Sequence, residues 1–405
     1  MLLDSAQRVR KAVDAGVPTE RHPGAESVGD KYFDASVANN DRRFEYIDGL
    51  RGLASIMVAI SHLAGAAAAK HPGILGAHVE KLADLGRYGV QIFFVLSGFV
   101  IAHSVMSGAH SFSYFGRFVG RRFVRLDLPY WSVIAFEIVL LWLSGKVMVE
   151  YTRDLPSFPQ VLSHAVYLQE FLGYPQILPV FWTLCYEVQF YLVFVLSLVL
   201  LQKLRDAGVS PPTLRRVAVL GLALSFCGSL ALYLGWLGYT HQALFIDRWF
   251  QFCFGVVAYS YYRGWCSGRW IAAASVSCVV SGAWFGIDAY RVISTLLTAG
   301  TGLAILASWK SRWWNSLLVG PAMQFLGRIS YSLYLLHLCI GWRVVVLVRE
   351  LFGDSYSTSH AYVAFVIGMI ASIVSAALMY LLIERPSISF ARKIRLPQRL
   401  AVVAS

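Results

Sequence analysis

Leu50-Arg-Gly-Leu-Ala-Ser-Ile-Met-Val-Ala-Ile-Ser-His62 opens the first long apolar run of the chain, which covers residues 50–69. A cation and a titratable imidazole inside such a run are costly in a bilayer, by roughly 2.5–3.5 kcal/mol per charged residue. Eleven residues advance an α-helix by three turns plus about 20°, so Arg51 and His62 share one face about 16 Å apart. That spacing suits a long ligand gripped at one end and reacted at the other. The plainer alternative is an arginine that snorkels from the helix end and a histidine bonded within a bundle.

The rest of the chain follows the same pattern. Of 405 residues, 57% are hydrophobic and only 14% charged, with a mean hydropathy of +0.57. A soluble domain carries about 25% charged residues, so the composition specifies an integral membrane protein. Apolar runs near 20 residues long, broken by Gly and short basic loops, indicate helices rather than the alternation of a β-barrel. The predicted fold class is therefore all-α, a polytopic bundle of ten spans: 50–69, 88–107, 126–145, 181–201, 214–237, 244–262, 270–286, 291–309, 326–348 and 360–384. Residues 158–178, interrupted by Pro, Gly, Gln and Glu, are predicted to form a short helix or re-entrant piece against the bundle.

The net charge of +12 is not a nucleic-acid signature, because its distribution is that of a membrane protein. Of the 35 Lys and Arg, 25 fall on connections and tails assigned to the inside, 7 on those outside and three within spans. This asymmetry predicts that both termini are cytoplasmic. Residues 1–44 read as a disordered cytoplasmic extension, 45–390 as the membrane domain and 391–405 as a basic tail. No cleavable signal is visible. Six cysteines with no CxxC, and no histidines at ligand spacing, predict neither a metal site nor a disulfide framework. No internal repeat of the transporter kind stands out.

Two further constellations carry chemistry. In Gly116-Arg-Phe-Val-Gly-Arg121-Arg122-Phe-Val-Arg125-Leu-Asp-Leu-Pro129, one helical turn presents Arg121, Arg122 and Arg125 together. Guanidiniums bind phosphate bidentately, so the triplet would grip a nucleotide; a headgroup anchor is the competing role. In Phe181-Trp-Thr-Leu-Cys-Tyr-Glu187-Val-Gln-Phe-Tyr191, Glu187 lies about 9 Å below the outer surface, close to the depth of His62. A carboxylate that orients an imidazole is a common catalytic arrangement, which predicts a Glu187–His62 pair; the alternative is a structural pair between Glu187 and an arginine. Ser97, in Phe93-Phe-Val-Leu-Ser97-Gly98, lies mid-span; it reads as a packing or hydrogen-bonding serine, with a nucleophilic role as the minor variant. Tyr191, Tyr331 and His337 are further candidates for the pocket wall. Glu384-Arg-Pro386 reads as an ion pair and helix stop at the end of the last span.

In this order, over residues 45–390, these motifs resemble the acyltransferase-3 family of membrane O-acyltransferases. The carrying residues are Asp48-Gly-Leu-Arg51 with His62, Phe93–Phe99, Arg121-Arg122-x-x-Arg125, Trp182-Thr-Leu-x-x-Glu187-x-x-Phe-Tyr191, Ser330–His337 and Glu384-x-Pro386. The resemblance implies ten core helices and transfer of an acyl group, commonly acetyl, from cytoplasmic acyl-CoA to an extracytoplasmic glycan or glycolipid at a bacterial inner membrane. It implies an essential Arg51/His62 pair and an arginine triplet that meets the CoA. Two features depart from the family pattern: Asp127 stands where a Tyr is usual, and the following proline comes one place later, at 129. The chain runs only about twenty residues past the last span, so the reading is of a stand-alone membrane domain. The competing function is a transporter or flippase whose buried charges line a path.

Overall fold

The computed structural model describes residues 28–106, 108, 110–147, 154–238, 241–285 and 288–397, with side chains from Phe44 onward except at 145–147 and 285. Residues 1–27 of the predicted extension and 398–405 of the predicted tail lie outside the described residues. Residues 28–43, expected to be part of a disordered extension, are helical; a helix, once nucleated, adds residues of ordinary propensity at little cost. The chain divides into two units, Met1–Arg43 and Phe44–Ser405, and the bundle is the second.

Among the described residues the bundle is built of helices: α1 (Phe44–Ala68), α2 (Gly89–Val105), α3 (Phe112–Val147), α4 (Phe158–Ala165), α5 (Trp182–Asp206), α6 (Pro211–Tyr233) and α7 (Trp249–Tyr262). There follow α8 (Gly268–Phe285), α9 (Ala289–Lys310), α10 (Pro321–Leu336), α11 (Arg343–Phe352), α12 (Thr358–Met379) and α13 (Arg385–Lys393). Among the described residues, eight helical stretches are long and apolar enough to cross a membrane. The two predicted spans outside this set, 244–262 and 270–286, are present as α7 and α8. Helix α7 has 14 residues, preceded by a 3₁₀ turn that carries Asp247 and Arg248.

Two boundaries that bear on the site differ from the sequence reading, and the ninth span carries an irregular segment. The third span begins at Phe112 rather than 126, so the arginine triplet is wholly helical, and Pro129 lies inside α3. Proline has no N–H for the carbonyl four residues back; that carbonyl, on Arg125, instead accepts from the Ser387 hydroxyl at 3.1 Å. Pro386 does not stop the last helix. A π-helical turn at Tyr380–Glu384 leads into α13, where proline occupies the first turn and its missing N–H is not needed. The ninth span runs through a second π-helical segment, His337–Trp342, between α10 and α11.

Helices α2 and α7 meet through glycine. A methyl on Gly98 would lie 2.0 Å from the Phe252 carbonyl oxygen, and one on Gly255 would lie 2.0 Å from that of Val95. Across the bundle, Arg343 donates to Glu137 of α3 through Nη1 at 2.7 Å and Nη2 at 2.6 Å, and to the Cys339 carbonyl at 2.7 Å. The segment around α4 folds back onto α3. The Tyr167 hydroxyl donates to Asp127 at 2.6 Å, its ring stacks on Tyr130, and the Trp131 indole donates to the Ala165 carbonyl. These contacts hold Tyr167 in the left-handed backbone region, at φ 60°. Asp127, the departure from the family pattern, is thus an anchor for this segment.

Candidate functional site

A cavity of about 100 Å³ opens inside the bundle among α1, α2, α3, α5 and α10. Helical spacing explains its walls. Arg122 and Arg125 are one turn apart on α3, Thr183 and Glu187 one turn apart on α5, Tyr331 and Tyr334 on α10, and Phe93 and Ser97 on α2. Arg51 enters from α1. The Ser97 hydroxyl donates to Glu187 Oε1 at 2.7 Å.

The charges do not cancel. Arg122 is buried, with its guanidinium over the Phe118 ring at 5.7 Å. Neither the Arg122 nor the Arg125 guanidinium makes a hydrogen bond or salt bridge among the described residues. Arg51 has only a long contact, 3.8 Å, to the half-exposed Asp48. Electrostatically, Arg122 faces Glu187, and Arg125 faces both Glu187 and Glu384. Glu384 is buried and accepts from the Ser332 hydroxyl at 2.6 Å. On the cavity wall Arg51, Arg122 and Arg125 meet a single carboxylate, Glu187, so guanidinium N–H donors outnumber the acceptors that line it. Desolvated donors of this kind are costly unless something accepts from them, and a bound anion would do so.

The predicted Glu187–His62 pair is not formed. His62 Nδ1 lies 2.9 Å from the Val58 carbonyl and 3.3 Å from Nε2 of His337. His337 is fully buried, with its Nδ1 2.8 Å from the Tyr334 carbonyl and 3.2 Å from that of Leu333. Equal depth on two helices is necessary for a contact, but the rotation of each helix decides it, and Glu187 turns toward Ser97 and the arginines. The imidazole pair lies one ring away from the cavity. Tyr334 lines the cavity and its ring centroid is 5.9 Å from that of His337, while its hydroxyl is shared with Thr183 at 2.8 Å.

The cavity thus brings together Arg51, Arg122, Arg125, Ser97, Glu187 and Tyr331. His62, His337, Arg121 and Tyr191 are not on its wall. Tyr191 packs edge-on to Phe118, at 5.9 Å, behind Arg122. The Tyr331 hydroxyl is committed to the Leu126 carbonyl at 2.8 Å. One wall residue, Tyr334, and one carboxylate behind the wall, Glu384, escaped the sequence reading. Tyr334 repeats Tyr331 three residues on, which was a legible signal; Glu384 was read as a helix-end ion pair. Among the described residues no group of His, Cys, Asp and Glu is placed to hold a metal ion.

Compared with known families, residues 44–381 match the model of the acyltransferase domain family, most of the chain. The chain belongs to the acyltransferase-3 family. It is accordingly a multi-pass membrane acyltransferase. No curated protein and no solved structure matches it. The matched region begins at the start of α1 and ends within the π turn before Glu384, so it contains Arg51, His62, the arginine triplet, Ser97, Glu187 and His337. The acyltransferase domain and the bundle that encloses the cavity are the same part of the chain.

Proposed function

We propose that this acyltransferase moves an acyl group, most simply acetyl, from cytoplasmic acyl-CoA to a hydroxyl of an extracytoplasmic glycan or glycolipid. The observation that carries the reading is the cavity, on whose wall the guanidiniums of Arg122 and Arg125 have no hydrogen bond among the described residues and Arg51 has only its long contact to Asp48. In this reading the ten helices cross a bacterial inner membrane with both termini inside, as the 25-to-7 charge split implies.

The donor's phosphates are held by Arg122, Arg125 and Arg51, with Arg121 beside them on the approach. The pantetheine arm then runs toward Ser97 and Tyr334. The acceptor hydroxyl meets the thioester next to His62, which takes the hydroxyl proton as general base. The oxygen attacks the acyl carbon, the C–S bond breaks, and the proton passes from His62 to the thiolate. Glu187 has a different role from the one its sequence position suggested: it fixes Ser97 and balances the guanidiniums. For reaction, the acyl carbon must pass Tyr334, whose bond to Thr183 is the latch to be released.

The test is kinetic. Arg122→Ala and Arg125→Ala should each raise KM for acyl-CoA, because a phosphate grip made equally in ground and transition states is uniform binding. Lysine at either position should rescue only partly, since it lacks the bidentate fork. Arg121→Ala, off the cavity wall, should act less than either. Unchanged KM in a folded Arg122→Ala/Arg125→Ala protein would refute the donor site.

A further inference from the structure

The imidazole pair assigns a role that neither the motif order nor the family match provides. We infer that His337 is the positioning residue for His62: it selects the ring nitrogen of His62 that acts as base and supports the imidazolium that forms. This inference rests on His62 being the base.

The hydrogen-bond partners fix both tautomers. A backbone carbonyl can only accept, so His337 Nδ1, facing the carbonyls of Tyr334 and Leu333, carries the proton. In the neutral ring its Nε2 is then a bare lone pair, and it points at His62 Nδ1 across 3.3 Å. His62 Nδ1 also faces the Val58 carbonyl at 2.9 Å. With two acceptors before it, His62 Nδ1 must be the protonated atom, and it donates to both. The proton-accepting atom of His62 is therefore Nε2.

The arrangement matters most once Nε2 has taken the acceptor's proton. The cationic ring makes Nδ1–H a stronger donor, and charge-assisted hydrogen bonds are about twice as strong as neutral ones. His337 Nε2 and the Val58 carbonyl then hold the charge, as a carboxylate does in a hydrolase triad, but without placing a second ion in the bilayer. The charge stays on His62, the half-buried member, because His337 is fully buried and an ion there would be dearer.

The backbone is built to hold this ring. His337 is the first residue of the π-helical segment, and such segments are frequent at functional sites. The segment is pressed onto α12 through Gly341, where a methyl would lie 1.9 Å from Ser372 Oγ. That contact fixes the depth and rotation at which His337 meets α1.

The test uses the full-length protein in lipid, with histidine labelled by ¹⁵N and the His62 signals identified by their loss in His62→Gln. The expected spectrum has His62 as the Nδ1–H tautomer at neutral pH; an Nε2–H tautomer would overturn the inference. In parallel, His337→Leu should lower kcat roughly ten- to a hundredfold, the worth of one charge-assisted hydrogen bond, with KM for acyl-CoA unchanged. His337→Gln, whose amide oxygen can accept from Nδ1–H, should recover most of it. An equal loss in Gln and Leu variants that fold normally, or a Leu variant with normal kcat, would overturn it too. Failure of the underlying reading would look different: His62→Ala itself would retain turnover.

Discussion

The bidentate pair between Arg343 and Glu137 offers a sharp test of how the bundle is held around the histidines. Glu137 is 2% exposed, and both its oxygens accept from Arg343, at 2.6 and 2.7 Å. Removing one partner of a buried pair typically costs about 3–5 kcal/mol, because the remaining charge is left uncompensated. Glu137→Leu and Arg343→Met should therefore each shift the unfolding equilibrium by roughly two to nearly four orders of magnitude, at 1.4 kcal/mol per tenfold. Replacing both members removes both charges together, and such replacements are often neutral or stabilising. The double variant should accordingly be more stable than either single one, not doubly damaged. Arg343 also donates to the Cys339 carbonyl within the π-helical segment, so the single variants should additionally disturb the histidine signals described above. Unfolding by denaturing detergent in mixed micelles, followed by tryptophan fluorescence, gives all three stabilities. A double variant whose loss equals the sum of the single losses would refute the pairing.

Other outcomes follow from the same packing. Gly98→Ala drives a methyl into the Phe252 carbonyl and should cost about 1–3 kcal/mol by overpacking, whereas Gly116→Ala, with nothing within 4 Å, should be neutral or slightly stabilising in the same detergent assay. The segment outside the spans should loosen in acid. His164 Nδ1 lies 2.8 Å from the Gln160 carbonyl and its Nε2 accepts from the Ile177 N–H at 3.1 Å, and burial pushes its imidazole below the ordinary range, against the pull of the Gln160 bond. The unfolded segment then binds more protons than the folded one. The stabilisation is fully present above the ordinary value of about 6.5 and is lost as pH falls through the lower folded value; amide exchange at Ile177 should show a falling protection factor over that window, and constant protection would contradict it.

Much of the fold was legible because membrane helices declare themselves by composition. Apolar runs located the long helices of the bundle, and the i,i+3 and i,i+4 spacing of Arg121, Arg122 and Arg125 placed them on one turn; α13, beyond the last run, was not among them. Helix rotation was not legible. Arg51 and His62 were known to share a face of α1, but which neighbours that face meets depends on contacts hundreds of residues away, such as Gly341 against Ser372. For that reason Glu187 was paired with His62 by depth alone, while its partner is Ser97. The stop expected at Pro386 does not occur, because there proline falls in the first turn of α13, where its missing N–H is not needed. Glu384 carries no local sign that it faces Arg51 and Arg125.

The most direct measurement places the protein in sealed proteoliposomes, sorted for one orientation, with acyl-labelled CoA on the cytoplasmic face and a hydroxylated glycan acceptor on the other. The account predicts that label appears as an ester on the glycan across the membrane, with one free CoA released on the donor side per ester formed, and that His62→Ala abolishes it. Passage of intact acyl-CoA without ester formation, or undiminished transfer by the His62→Ala protein, would contradict the account.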